Sequence, residues 1–483
     1  MAVESEETIV STEYGRVRGR TENGIAVFRG VPYAAAPVGP YRFRPPVAPE
    51  PWDGVREAAV FGPTAPKTPY KPPLDQLLPE PVVPGDGCLN LNVWTPDPGG
   101  AGLPVMVWIH GGSLRNGSSA VPVYDGAAFA RDGVVLVSVN YRLGIEGFGV
   151  FPDVPGNPGL RDQLAALHWV RRNVAAFGGD PALVTVFGES AGALSTACLL
   201  ASPLAAGLMR RAVLQSGAPS AVLPAKARRT TRRIARRLGV EPTAAAFATV
   251  DRAALLRAQG EVAGGSGLSG GPAFDIVVDG EVLPEDPARA LAAGRSGEID
   301  LLMGTTTEEY RLWFAPGGAI DRIGPLALRL AMAKAGVRGR TARVYRANRP
   351  GASPGEILGL LATDLVLRLP LVRLADARLK APGATHFYEF AWPSPVLSLG
   401  ACHGLDLGFV FDTLRDPATM ALTGPDAPQS LADTMHRDWI RFARTGDPVW
   451  PAWDTDRPVM TYGLGAPSVV YAPRDDERRA WDL

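Results

Sequence analysis

Leu183-Val-Thr-Val-Phe187-Gly188-Glu189-Ser190-Ala191-Gly192-Ala-Leu-Ser-Thr-Ala-Cys198-Leu-Leu200 is the stretch on which the fold turns. Its first five residues form an apolar, partly β-branched run of strand length, and helix-competent residues resume at once after Ser190. Gly188 to Gly192, which span the junction, fit the pattern G-x-S-x-G, in which a sharp strand-to-helix turn lifts a serine hydroxyl above a sheet. Glycines flank the serine because such a turn brings neighbouring backbone too close for side chains. The pattern alone is weak evidence, since Gly267-Leu-Ser-Gly-Gly271 fits it too. The overlapping Gly265-Ser-Gly267-Leu-Ser-Gly270 also fits the dinucleotide pattern G-x-G-x-x-G. Neither has a strand before it or a helix after it, so this segment reads as a surface loop. Context selects Ser190 as a nucleophile rather than an ordinary serine at a helix start.

Working outward, Pro104-Val-Met-Val-Trp-Ile-His110 reads as a buried strand running into Gly111-Gly112, and Val134 to Tyr141 reads as a second. Residues 162–177 carry apolar positions Leu164, Leu167 and Val170 at helical spacing. Further strands are predicted at 211–215, 300–304 and 386–392, and a closing amphipathic helix at 431–444. This alternation implies an α/β fold of the hydrolase type, with a central, mainly parallel sheet flanked by helices and interrupted by large insertions. Residues 1–483 are expected to form one such domain, because sheets of this kind reach that length on a continuous core.

Composition narrows the partners. The chain has 49 Lys plus Arg against 49 Asp plus Glu, so no global field favours nucleic acid or an anionic membrane. The basic run Lys226 to Arg237 is expected to be a solvated helix face. A hydrophobic fraction of 46% with 55 Gly and 46 Pro suits an ordered, loop-rich globular protein acting on a small molecule. No apolar run reaches membrane-spanning length, and Met1-Ala-Val-Glu-Ser-Glu-Glu7 lacks the basic and apolar regions of a signal peptide, which predicts a cytoplasmic location. Cys88, Cys198 and Cys402 show no metal-binding spacing. Cys402 beside His403 raises a thiol nucleophile as an alternative, disfavoured because adjacent side chains usually point apart.

A serine hydroxyl needs a base for its proton and donors for the oxyanion formed on attack. His110-Gly111-Gly112-Ser113 follows a predicted strand, where the amides of Gly111 and Gly112 can join that of Ala191 in an oxyanion hole. Five histidines are present: His110 belongs to that loop, while His168 and His436 lie in predicted helices. His386 opens a strand and His403 follows it in a loop, the usual site of catalytic groups, so His403 is the expected base. The third member is a carboxylate between Ser190 and the histidine in chain order; Glu308 or Glu309, after the strand at 300–304, stands on the right rim.

The chain also resembles the type-B carboxylesterase family, which includes bacterial p-nitrobenzyl esterases and, more distantly, cholinesterases. The likeness runs nearly end to end through Tyr14-Gly-Arg-Val-Arg-Gly19, Phe28-Arg-Gly-Val-Pro-Tyr-Ala34, residues 37–46, Asn140-Tyr-Arg-Leu143, Asn157-Pro-Gly-Leu-Arg-Asp-Gln163 and Asn173 to Pro181. It implies Glu309 as the acid, within Gly304 to Tyr310, and His403 as the base, within Gly400 to Asp406. It implies for Ser216 a supporting hydrogen bond behind the triad. Departures are Gly87, where a carboxylate is usual and a local salt bridge is placed in doubt, Tyr310 after the acid, and Asp406 in place of Glu. Either of the last two is expected to reshape the pocket mouth.

The expected function is a serine carboxylesterase for small apolar or aromatic esters, acting through an acyl-enzyme without metal or organic cofactor. Its rivals are a hydrolase of a carbamate, amide or lactone and a catalytically silent binding module, the latter at odds with three intact triad candidates. Trp108, Phe148, Trp313, Phe314 and Phe409 are candidates for the pocket lining.

Overall fold

The computed structural model describes residues 7–263 and 274–482; the second, glycine-rich pattern match and the opening residues 1–6 lie outside the described residues. Among the described residues thirteen strands form one sheet: β1 (Glu7–Thr12), β2 (Gly15–Glu22), β3 (Ile25–Pro32), β4 (Val55–Glu57), β5 (Asn90–Thr95), β6 (Leu103–Ile109), β7 (Val135–Val139), β8 (Gly179–Glu189), β9 (Arg211–Gln215), β10 (Asp300–Thr306), β11 (Thr385–Phe390), β12 (Pro458–Tyr462) and β13 (Ser468–Tyr471). The order is β1-β2-β3-β5-β7-β6-β8-β9-β10-β11-β12-β13, with β4 on β2. From β7 to β12 every neighbouring pair is parallel, while β1, β2, β3, β5 and β13 extend the edges antiparallel.

Parallel strands carry helices on both faces and therefore read as unbroken apolar runs. Every residue of β7, β9 and β11 is buried, whereas β1 and β13 are largely exposed. That difference explains why the centre of the sheet is legible in the sequence and its edges are not. The sheet passes from β6 to β7 on one side and then to β8 on the other, so the chain reverses its winding at β6. A crevice opens at such a switch point, beyond the carboxyl ends of the strands. The residues after β6 are Gly111 and Gly112, and Ser190 follows β8.

The helix after Ser190, Ala191–Ala201, buries ten of its eleven residues against β8 and β9. The helix expected at 162–177 begins earlier, at Pro158, whose fixed φ suits a first helical position, and tightens into a 3₁₀ turn at Val174–Phe177. The basic segment forms the helix Pro224–Leu238, with Ala227, Thr231, Ile234 and Ala235 buried and Arg229, Arg232, Arg233, Arg236 and Arg237 in solvent. Between β10 and β11 the helices Pro325–Lys334, Gly339–Asn348 and Pro354–Thr363 bury a satellite core of their own around Leu328, Tyr345 and Ile357.

A methyl group on Gly188 would lie 2.6 Å from the Gly192 carbonyl carbon, and one on Gly192 would collide with the Ile109 carbonyl oxygen. Gly192→Ala is accordingly expected to destabilise the protein by about 1–3 kcal/mol through overpacking. Urea denaturation read by tryptophan fluorescence measures the loss.

Candidate active site

Ser190 adopts φ 56° and ψ −121°, outside the regions ordinarily open to an L-residue. Its amide donates to the Gln215 carbonyl oxygen at the end of β9 (2.9 Å), and its own carbonyl accepts from Leu194 in the following helix (2.9 Å). The chain thus turns from strand to helix within one residue. The amide of Ala191 is among the first four of that helix, which have no partner within it. Gly111 lies directly alongside: a methyl group there would be 3.2 Å from Ser190 Cβ and 2.8 Å from Glu189 Oε2. Gly112, Ser113 and Leu114 all have positive φ, so the chain doubles back sharply after β6.

Glu309 and His403 meet across 94 residues of sequence. The imidazole Nδ1 is 2.5 Å from Glu309 Oε2, and the His403 amide donates to the Glu309 carbonyl oxygen at 3.2 Å. Glu309 is fully buried, and its other carboxylate oxygen accepts from the Thr306 amide at 2.9 Å. Glu308, the alternative acid, instead accepts from the Ala401 amide and pairs with Arg311. Of the other histidines, His110 stacks on Tyr141 and is pushed down to about 3 by burial, and His386 is fixed to the Trp450 carbonyl in the core. The Cys402 thiol is buried and its ionisation is strongly disfavoured by that burial, which removes the thiolate alternative.

Two features were invisible in the linear chain. Glu189, the variable residue beside Ser190, places Oε1 3.0 Å from His403 Nε2. A carboxylate only accepts hydrogen bonds, so carboxylates at both ring nitrogens favour the imidazolium. Burial by itself lowers the histidine, but Glu189 and then Glu309 overcome it and hold His403 well above the usual range. Ser190 and His403 line one cavity, and among the described residues no hydrogen bond joins them. Behind the histidine, Asp406 accepts from Tyr388 Oη (2.9 Å) and Gln215 Nε2 (3.0 Å), while its Oδ1 has no partner. Burial, reinforced by the Glu189 charge, pushes this carboxyl up to about 7.

Ser216 is buried at the end of β9, its amide bound to the Gly304 carbonyl and its hydroxyl without a hydrogen bond. Of the five aromatic candidates only Trp313 lines the cavity, its ring 4.9 Å from that of His403. Trp108, Phe148, Phe314 and Phe409 are core residues, so the expectation for them is corrected: an aromatic in an apolar run is claimed first by packing. The cavity walls come instead from Tyr70, Leu77, Leu78, Val121, Tyr124 and Leu422 among others. Asp406 is likewise buried and not at the pocket mouth, and Tyr310 does not line the cavity either: it touches it only through Trp313, whose ring it meets at a tilt (centroids 5.2 Å apart). Gly87 carries no side chain to form the salt bridge in doubt there; its neighbour Asp86 pairs with Arg252 (2.8 Å). Among the described residues no group of three or more His, Cys, Asp or Glu is arranged to hold a metal ion. No helix among them is long and apolar enough to cross a membrane.

A serine held in a strained strand-to-helix turn at the switch point of a mainly parallel sheet, beside glycine amides from the next strand, defines the α/β-hydrolase class. The family described as the carboxylesterase family matches residues 6–461, and the chain belongs to it. The para-nitrobenzyl esterase of Bacillus subtilis (strain 168) is 39% identical over 466 residues, covering 92% of each chain. The phenmedipham hydrolase of Pseudarthrobacter oxydans is 34% identical over 472 residues, covering 94% of each. The crystal structure of the Geobacillus stearothermophilus carboxylesterase at pH 6.2 superposes with a TM-score of 0.88 at 37% identity, over 98% of this chain and 100% of that one. The chain is a carboxylic-ester hydrolase acting on small-molecule esters, as its sequence leads one to expect.

Two pH effects follow from the carboxylates. Removing the Glu189 charge lowers the His403 pKa, so Glu189→Gln is expected to shift the acid limb of kcat/KM to lower pH, read from initial rates between pH 4 and 9. Asp406 binds its proton more tightly when folded than when unfolded, so its contribution to stability falls as pH rises from 3.8 toward about 7. Asp406→Asn should therefore show a smaller loss of Tm between pH 5 and pH 8 than wild type, by differential scanning calorimetry.

Proposed function

We propose that Ser190, His403 and Glu309 form the triad of this esterase and that the amides of Gly111, Gly112 and Ala191 form its oxyanion hole. The observation that carries the reading is the buried Glu309 carboxylate on His403 Nδ1, with Ser190 facing the same cavity from the elbow. Bound to Glu309 through Nδ1, a neutral imidazole keeps that proton and leaves Nε2 free to accept. Above its raised pKa the imidazolium gives its Nε2 proton to solvent, and in the ester complex the neutral Nε2 takes the Ser190 proton; hydrogen bonds of this kind are commonly long before substrate binds. The alkoxide attacks the ester carbonyl, the three amides stabilise the negative oxygen, and the imidazolium protonates the departing alcohol. Water then repeats the cycle on the acyl-enzyme and releases the acid. The supporting hydrogen bond expected of Ser216 is not formed, because its buried hydroxyl has no partner among the described residues, so no part in the triad is assigned to it.

The substrates we assign are small esters with apolar or aromatic groups, because Leu77, Leu78, Val121, Leu312, Trp313 and Leu422 surround Ser190. A carbamate, amide or lactone would use the same groups; the two curated relatives are named for different compounds, p-nitrobenzyl esters and phenmedipham, which keeps this second reading in play. One catalytic domain is proposed from the continuity of the sheet from Glu7 to Tyr471, and a cytoplasmic location from three buried free thiols.

Hydrolysis of p-nitrophenyl esters tests the reading. Ser190→Ala is expected to lose about four to six orders of magnitude in kcat, and Glu309→Gln about three to four, with unchanged circular dichroism. Butyrate should exceed laurate in kcat/KM. A matched ester, amide and carbamate panel separates the two bond classes, and turnover retained by Ser190→Ala removes Ser190 from the mechanism.

A further inference from the structure

The segment at residues 64–83 leaves the sheet ahead of β5 and returns to it, closed at its base by the Thr64 amide on the Val83 carbonyl (3.0 Å) and the Val83 amide on Thr64 Oγ1 (3.2 Å). From this segment Glu80 projects into the wall of the catalytic cavity. Its Oε1 accepts from the Gly117 amide and its Oε2 from Asn116 Nδ2, each at 2.7 Å. Asn116 Nδ2 also donates to the Thr68 carbonyl of the same segment (2.7 Å), and Asn116 Oδ1 accepts from Arg115 Nε (3.1 Å). Lys67 is bound to the Pro81 carbonyl (3.1 Å) and its charge favours the Glu80 carboxylate, against the burial that disfavours it.

Asn116 and Gly117 close the turn that begins at Gly111. The Asn116 amide donates to the Gly112 carbonyl at 2.9 Å, and the Arg115 amide to the same oxygen at 3.1 Å. Gly117 packs so closely that a methyl group there would lie 2.5 Å from both the Gly111 carbonyl oxygen and His110 Nδ1. The turn holds Gly112, Ser113, Leu114 and Gly117 at positive φ, a state that persists only where surrounding contacts over-determine it. A carboxylate bridging two consecutive residues of the turn is such a contact, and charge-assisted hydrogen bonds to backbone and amide N–H are the strong kind.

We infer that Glu80 is a positioning residue: its carboxylate holds the Gly111–Gly117 turn in the geometry that aims the Gly111 and Gly112 amides at the developing oxyanion. The inference rests on the oxyanion assignment above. Glu80 does not touch the reacting atoms; it acts through Asn116 and Gly117. Loss of the clamp therefore weakens stabilisation of the tetrahedral intermediate more than binding of the flat ester, which calls for a fall in kcat at nearly constant KM.

The test uses the full chain with p-nitrophenyl acetate and an aryl trifluoromethyl ketone. Ser190 Oγ adds to the ketone carbon, its proton passes to His403, and the carbonyl π bond becomes an oxyanion in the hole, so the adduct reports on that geometry. Glu80→Ala is expected to lower kcat about 10- to 100-fold with KM within threefold, and to raise the ketone Ki by the same factor as kcat/KM falls. Glu80→Gln, which keeps one acceptor, should fall between Ala and wild type, and it carries the test if the Ala variant does not fold. Folded variants with kcat within threefold of wild type, a change in KM alone, or a ketone Ki that stays fixed while kcat/KM falls would each overturn the inference. With Ser190→Ala inactive such a result overturns the Glu80 clamp alone; with Ser190→Ala active the reading beneath it fails instead.

Discussion

The Ser190 backbone sits at φ 56° and ψ −121°, a conformation that costs on the order of 1–3 kcal/mol and persists only where the surroundings enforce it. Enforcement comes from both sides of the turn. Upstream, β8 is locked between β6 and β9 in a parallel ladder, with Glu189 opposite Gln215. Downstream, a helix buried along nearly its whole length cannot shift without opening the core. Gly188 and Gly192 allow the turn to press against the Ile109 backbone, which brings Gly111 to within contact of Ser190. The proposed nucleophile and two of its proposed oxyanion donors are therefore set by one close approach of main chains, offset energetically by the packing of the Ala191–Ala201 helix.

Electrostatics at the site depend on how many negative charges one imidazole can sustain. Three carboxyl groups, Glu189, Glu309 and Asp406, lie buried around His403. Full ionisation of all three in a region of low dielectric is unfavourable, and environments that push neighbouring acids apart in pKa are how a site divides roles among them. Glu309 bonds the ring directly and accepts from the Thr306 amide. Asp406 is fully buried, with one oxygen unpartnered, and burial pushes its carboxyl up to about 7. Glu189 lies at the other ring nitrogen, and its charge raises the pKa of the histidine.

The rim of the cavity is assembled from segments that are distant in the chain. Glu309 follows β10 and His403 follows β11, and these strands are neighbours in register with β8 and β9, so four consecutive parallel strands deliver groups to one edge. The segment 64–83 and the short helix Pro417–Thr423 add further walls to the cavity. A parallel sheet makes this possible because all its carboxyl ends face the same way.

By itself the sequence determined the class of fold and singled out Ser190 as the candidate nucleophile and His403 as the candidate base. Strands β6 to β11 declared themselves through short, mostly apolar runs, the elbow through the sequence Gly188 to Gly192 in its strand-helix setting, and His403 through its place after a strand. These are local signals, carried by propensity and periodicity over about ten residues. The choice between Glu308 and Glu309 rested on family resemblance, since two adjacent glutamates after a strand are equivalent until the turn between Thr306 and Arg311 fixes which one faces the histidine. Only the tertiary structure decided the edge strands, whose half-exposed residues give no clean period, and the membership of the pocket. Trp108 and Phe409 are as apolar as Trp313, but burial in the core and exposure to a cavity differ only in what packs on the other face. Glu189 at His403, Asp406 behind it and Glu80 at Gly117 are likewise contacts between distant segments, and they come into being only when the sheet has brought those segments to one rim.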